Sequence, residues 1–245
     1  PAVCIGIQAD ALYYGAVPVD AALASCAELL DRSSDALANG WVSAVAGALH
    51  GLRGNHDEAS NLIEHSRRLY ENVDNQRGKA MAWTPLAMET ALLAGDLDTA
   101  EALGRESVET FSEIGYPAFV SGRAAKLADV LLQRGDVDSA DRYAALAERE
   151  ALDADVYVQF LWRAARARIL ARGGELAEAE ALGADAVAIA SLTDALCDRA
   201  RTHLALAEVL SLAGKQAAAA TETAAAEELR RRKGVKGAPV GAPFA

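Results

Sequence analysis

The sequence predicts an all-α chain built from repeated helix–turn–helix units, and three observations carry that prediction. A phrase running from a glycine to an alanine recurs as GNHDEA from Gly54, GDLDTA from Gly95 and GDVDSA from Gly135. Weaker copies are GELAEA from Gly174 and GKQAAA from Gly214; the five glycines stand 39 to 41 residues apart, and Gly15 extends the series one step earlier. The composition is 52% hydrophobic but only 5% aromatic, with alanine supplying much of the apolar share. Such a composition favours helices and their close packing over β-strands. Finally, no strand pattern interrupts the repeats. A unit that cannot bury its apolar stripe alone must stack on near-copies of itself, which is the logic of an α-solenoid.

The elements follow in order. Pro1 to Tyr14 is apolar enough to be the buried second half of a helix, and the following Gly15–Pro18 breaks it. Pro18 suits the first turn of the next helix, where its missing N–H costs nothing. That helix, Pro18 to Asp31, spaces Ala22, Leu23, Cys26, Leu29 and Leu30 helically. Helix pairs are then expected over 35–52 and 56–70, over 79–94 and 97–111, and over 118–134 and 137–151. Two more pairs span 156–172 with 176–191 and 196–213 with 216–232. Pro85 falls inside the pattern of 79–94 and implies a kink or a later helix start. Residues 1–232 thus form the repeat domain. The Gly-, Pro- and Ala-rich stretch 233–245 lacks periodicity and reads as a disordered tail.

Helix ends explain the repeated phrase. Its glycine can adopt the left-handed conformation that closes a helix. The next residue, Asn55, Asp96 or Asp136, can then cap the following helix, with Glu58 placed for a capping box on Asn55. Glu175 and Lys215 break the rule, so their turns should be less firmly fixed. The alanine five positions after each glycine is expected to face the preceding helix and let two backbones approach.

Composition also narrows the partners. The formal net charge of −11 argues against affinity for nucleic-acid phosphates. Cys4, Cys26 and Cys197 are far apart, without metal-site spacing, and read as small buried hydrophobes in a reducing, cytoplasmic setting. No stretch approaches the ~20 apolar residues that span a bilayer. The sequence starts at Pro1 without an initiator methionine, which implies either processing or a piece cut from a longer protein, and we favour the second.

Aligned on their glycines, the units expose further columns. Seven residues earlier stand Gly47, Met88, Ala128, Ala167 and Ala207; twelve later stand Ser66, Ser107, Ala147, Ala186 and Ala226. This set of offsets resembles the tetratricopeptide repeat, which implies a right-handed solenoid whose first helices line a concave groove. The units here are about 40 residues long rather than about 34, and the usual aromatic positions hold alanine, leucine or arginine. Long units of this kind, with the stretches Tyr13–Leu30, Phe160–Leu196 and Leu204–Lys215, resemble the repeat region of actinobacterial regulators. Those regulators join a signalling ATPase to an adenylate/guanylate cyclase or another effector. The resemblance implies a scaffold or sensor region without catalytic parts.

The residues themselves carry no enzyme signature: there is no phosphate-loop motif, no HExxH and no paired His spacing. No cofactor or metal is expected. Candidate groove residues are the tryptophans near the starts of first helices, Trp41, Trp83 and Trp162, and the charged set Glu89, Asp129, Arg163, Arg168 and Glu208. Arg168 stands six residues before its glycine, as do Glu89, Asp129 and Glu208. It either offers a planar fork to a partner's carboxylate or phosphate, or pairs with acids of adjacent helices such as Glu178, Asp185 or Glu208. The tryptophans form either core or an aromatic shelf for a peptide. The expected role is a protein–protein interaction and regulatory module binding a partner segment in its groove. Two alternatives stand beside it: a small-ligand sensor with a pocket between repeats, and an intramolecular clamp on the chain's own ATPase or cyclase domain. Neither nucleic acid nor membrane is expected as a partner.

Overall fold

The computed structural model describes residues 2–73 and 78–236. Within them the chain is all-helical. Its helices are α1 (Ala2–Tyr14), α2 (Val19–Arg32), α3 (Ala36–Leu52), α4 (His56–Asn72), α5 (Thr84–Leu93), α6 (Leu97–Ile114), α7 (Pro117–Arg134), α8 (Val137–Glu150), α9 (Val156–Arg172), α10 (Leu176–Ala190), α11 (Leu196–Leu212) and α12 (Gln216–Lys233). A single π-helical turn, Lys79–Trp83, leads into α5. It resolves the difficulty at Pro85, whose ring would collide with the carbonyl four residues back in a continuous α-helix. The wider turn lets the Thr84 amide bond the Lys79 carbonyl, and Pro85 falls in the first turn of α5.

The turns within hairpins share one backbone solution. Gly54, Gly95, Gly135, Gly174 and Gly214 have φ between +74° and +89°, where only glycine is unstrained. The amide after each glycine returns to the carbonyl four residues before it: Asn55 to His50, Asp96 to Ala91, Asp136 to Leu131, Glu175 to Leu170 and Lys215 to Leu210, at 2.8–3.0 Å. This is Schellman closure, five times over. Gly115 closes α6 the same way (φ +78°), although it lies between hairpins. Gly15 is not among the left-handed glycines, so its place in the series is one of spacing only. The alanines of the phrase, Ala59, Ala100, Ala140, Ala179 and Ala219, are all buried. Capping divides the turns. The carboxylates of Asp96 and Asp136 accept the amides of Thr99 and Ser139 at 3.0 Å. Asn55 makes no side-chain cap bond, contrary to expectation, and Glu175 makes none either.

The chain forms two compact units, one holding residues up to Leu103 together with the segment from Arg231, the other Gly104–Arg230. In the first, α3 packs against α1, α2, α4 and α5. Tyr70, Ala82, Trp83 and Ala87 form a core with Leu37, Trp41, Ile63 and Leu103 around it. Close approach depends on missing side chains: a Cβ on Gly6 would stand 2.2 Å from the Trp41 ring. In the second unit α7 pairs with α8 and α9 with α10, while α7, α9 and α11 pack successively side by side. Alanines of the second helices, such as Ala179, Ala186 and Ala226, pack under larger residues such as Leu170, Phe160 and Leu204.

Two further expectations need correction. Cys4 is exposed, whereas Cys26 and Cys197 are buried; burial pushes the Cys26 thiol up to about 12. Residues 233–236, expected in the tail, are packed into the first unit. Lys233 ends α12 fully buried, its Nζ donating to the carbonyls of Leu12 (2.8 Å) and Gly15 (2.7 Å), and the Lys236 amide bonds the Leu52 carbonyl. Residues 237–245 lie outside the described residues. No described helix is long and apolar enough to cross a membrane.

Candidate functional site

A charged row crosses the three first helices of the second unit. Each hairpin reverses the chain once and the junction to the next reverses it again, so α7, α9 and α11 run parallel, and the repeat length brings equivalent positions side by side. The position six before the turn glycine holds Asp129 on α7, Arg168 on α9 and Glu208 on α11. The Arg168 Nη1 pairs with Asp129 Oδ1, and its Nε donates to Glu208 Oε2 at 2.7 Å. Arg172, one turn later, donates to Glu208 Oε1 at 2.7 and 3.0 Å and to the Leu132 carbonyl at 2.8 Å. Two guanidinium groups thus meet two carboxylates.

Arg168 is only 4% exposed. Burial works against its charge, but Asp129 and Glu208 outweigh it and hold the guanidinium above its ordinary range. A buried ion of this kind is tolerated because its partners satisfy it on both sides. Asp129 and Arg172 keep part of their surface in solvent and form the accessible rim of the row.

A second network joins the same helices nearer their starts. Tyr157 Oη donates to Asp198 Oδ2 at 2.7 Å, while Lys126 Nζ and Arg201 Nη1 lie 3.6 and 3.5 Å from Asp198 Oδ1. Lys126 and Asp198 are buried. Sequence reasoning missed this set. Tyr157 and Asp198 stand 41 residues apart, one out of register with the 40 that separate Gly174 and Gly214, so aligned columns do not pair them.

The structure therefore brings Asp129, Arg168 and Glu208 together, and it answers the question of what Arg168 faces: acids of adjacent helices. Those acids are Asp129 and Glu208, not Glu178 or Asp185. Arg166 likewise pairs with Asp141. Arg163 lies over the Trp162 ring at 4.2 Å and donates to the Gln159 carbonyl at 2.9 Å, beside the charged row on the same helix. Trp162 is buried, its Nε1 donating to Gln159 Oε1 at 3.3 Å. The remaining candidates belong to the first unit. Trp83 is buried and donates to the Ile63 carbonyl at 2.9 Å; Trp41 is half-buried and donates to Asp10 at 2.8 Å. Glu89 is 1% exposed. The tryptophans are thus packing residues first. Among the described residues no cluster of three or more His, Cys, Asp or Glu side chains is placed to hold a metal.

No protein-family model matches the chain, and a search of curated proteins gives no match. Among solved structures, the chain is similar to BtubC (BKLC) from P. vanneervenii, with a TM-score of 0.56. The match covers 90% of this chain and 91% of that one at 17% identity, a likeness of fold alone.

Proposed function

We propose that the chain is a tetratricopeptide-like solenoid of about six hairpins that serves as a protein–protein interaction and regulatory scaffold. In this reading it is non-catalytic, cytoplasmic and the repeat region of a larger signalling ATPase or cyclase protein, and it takes a partner segment along its first helices. The observation that carries the reading is the row Asp129–Arg168–Glu208, which ties equivalent positions of α7, α9 and α11 into one rigid floor. A binding face built on packed helices is held in place before the partner arrives, which lowers the ordering cost of association. The half-buried Arg163 on Trp162 and the solvent rim of Asp129 and Arg172 are the contacts such a segment would meet.

The test is a peptide-display selection against the chain, followed by titration of the enriched peptides. Arg163→Glu should weaken their binding by about tenfold, as loss of a central contact does, with helical circular dichroism unchanged. Enriched peptides indifferent to Arg163→Glu, or no enrichment at all, would remove the groove reading.

A further inference from the structure

Along one edge of the second unit, where each hairpin hands over to the next, apolar side chains stand in solvent. Ile114, Tyr116 and Phe119 lie at the α6–α7 junction, Leu152 and Val156 at α8–α9, and Leu192 at α10–α11. Leu152 is 53% and Leu192 75% exposed. The junctions share this edge because the starts of α7, α9 and α11 touch. A Cβ on Gly122 would lie 3.5 Å from Val158, and Tyr157 bonds Asp198.

Single exposed leucines need no explanation, but a contiguous apolar patch marks an interaction surface. These residues recur with the repeat, Leu152 and Leu192 being 40 positions apart (192 − 152). An exposed acid accompanies each junction: Glu113 beside Ile114, Asp153 beside Leu152, and Asp194 near Leu192. Nearby cations are either paired with a carboxylate or half-buried, whereas the three acids are exposed. Arg149 pairs with Glu150 at 3.0 Å, Arg199 donates to the Thr193 carbonyl at 3.0 Å, and Arg123 lies over the Phe111 ring. The edge is therefore an apolar ridge with acidic flanks.

We infer that this edge docks a basic amphipathic helix of a partner protein, with apolar anchors seven residues apart and lysines or arginines between them. Adjacent packed helices lie about 8–10 Å apart, and seven helical residues rise about 10.5 Å, so successive anchors meet successive junctions. The acids match the cations of such a helix. A second copy of this chain would bring acid against acid, and an anionic lipid surface would be repelled in the same way. The proposal goes beyond the groove reading, because the Asp129–Arg168–Glu208 row lies at the other end of the same helices.

A fluorescein-labelled synthetic peptide of about 18 residues, long enough for three anchors, tests it by anisotropy against the full chain. The peptide carries leucine at every seventh position in a lysine–alanine background; a scrambled peptide of equal composition is the control. The leucine-register peptide should bind saturably and the scrambled one about tenfold more weakly. Leu152→Ser with Leu192→Ser should cost about tenfold as well. Both residues are exposed, so the helical signal should stay unchanged. Glu113→Lys with Asp153→Lys and Asp194→Lys should weaken binding and remove most of its salt dependence. Equal binding of the two peptides, or unchanged affinity in the leucine double variant, overturns the proposal. So does a dimer seen by light scattering that Leu192→Ser dissolves, or binding to phosphatidylserine vesicles that the double variant abolishes.

Discussion

The two units join their first helices by different means. In the first, α1 meets α3 through an absent side chain, Gly6 lying under the indole of Trp41, and α3 meets α5 where Gly51 faces Leu93. The Trp41 indole also donates to Asp10 at this contact. In the second, α7, α9 and α11 are joined by ions, with Arg168 between Asp129 and Glu208, and Lys126 and Tyr157 on Asp198. Side-by-side packing of helices thus draws on shape at these contacts of the first unit and on charge at those of the second. The two solutions fail differently. A charge left unpartnered in a buried site costs more than the pair gained, whereas an overfilled contact costs what the neighbours must move.

The largest effect should come from the charged side of this contrast. Arg168→Ala leaves Asp129 and Glu208 facing one another across the space the guanidinium filled, with Arg172 still on Glu208. The expected loss of stability is about 3–5 kcal/mol, read from urea unfolding followed by circular dichroism. A loss near that of a surface pair, under about 1 kcal/mol, would mean the row adds little and the contrast between units collapses. Replacing Arg168 together with Asp129 by apolar residues, with Glu208 left to Arg172, should recover much of the loss, because the cost lies in the stranded charges.

Gly6→Val probes the other side. Its Cβ would fall 2.2 Å from the Trp41 ring, so the indole or α1 must shift, at about 1–3 kcal/mol. Trp41 fluorescence should change with it, and the loss should not depend on ionic strength. A Gly6→Val protein of unchanged stability and emission would show that α1 does not hold the Trp41 contact in solution.

The helices and their turns were legible because their signals are local. Left-handed glycines, small contact residues and apolar periodicity act within one hairpin, so twelve helices and the buried alanine column could be read without tertiary knowledge. The Arg168 row was legible for the same reason, since equivalent offsets predict adjacency once the repeat is known. What escaped depends on contacts that cross the repeat pattern. Tyr157 and Asp198 have different neighbours in their own helices, and nothing near Lys233 in sequence announces that Leu12 and Gly15 will accept from it. The π turn before Pro85 is a steric compromise whose form only the packed backbone decides. For the tryptophans the sequence leaves core packing and a binding shelf both open, because an aromatic near a helix start serves a core and a groove equally well.

The turns are the internal control for this contrast, because each unit holds both capped and uncapped examples. Asp96 caps α6 and Asn55 fails to cap α4 in the first unit; Asp136 caps α8 and Glu175 fails to cap α10 in the second. Hydrogen bonds from the side chain and amide of Thr99 hold the Asp96 carboxyl below its ordinary range, and those of Ser139 do the same for Asp136. A lowered folded-state value means the contribution is complete above the unfolded carboxylate value, near 4, and is lost as pH falls through the lowered one. Asp96→Ala should therefore reduce stability at neutral pH by less than about 1 kcal/mol, a small exposed cap. It should also flatten the decline in melting temperature below about pH 4. Asn55→Ala, with no cap bond to lose, should change neither. Asp136→Ala should follow Asp96→Ala in direction, although it sits in the charged unit. If Asp136→Ala and Asp96→Ala instead diverge, the turns share in the difference between units, and shape and charge are not separable from the hairpins that carry them.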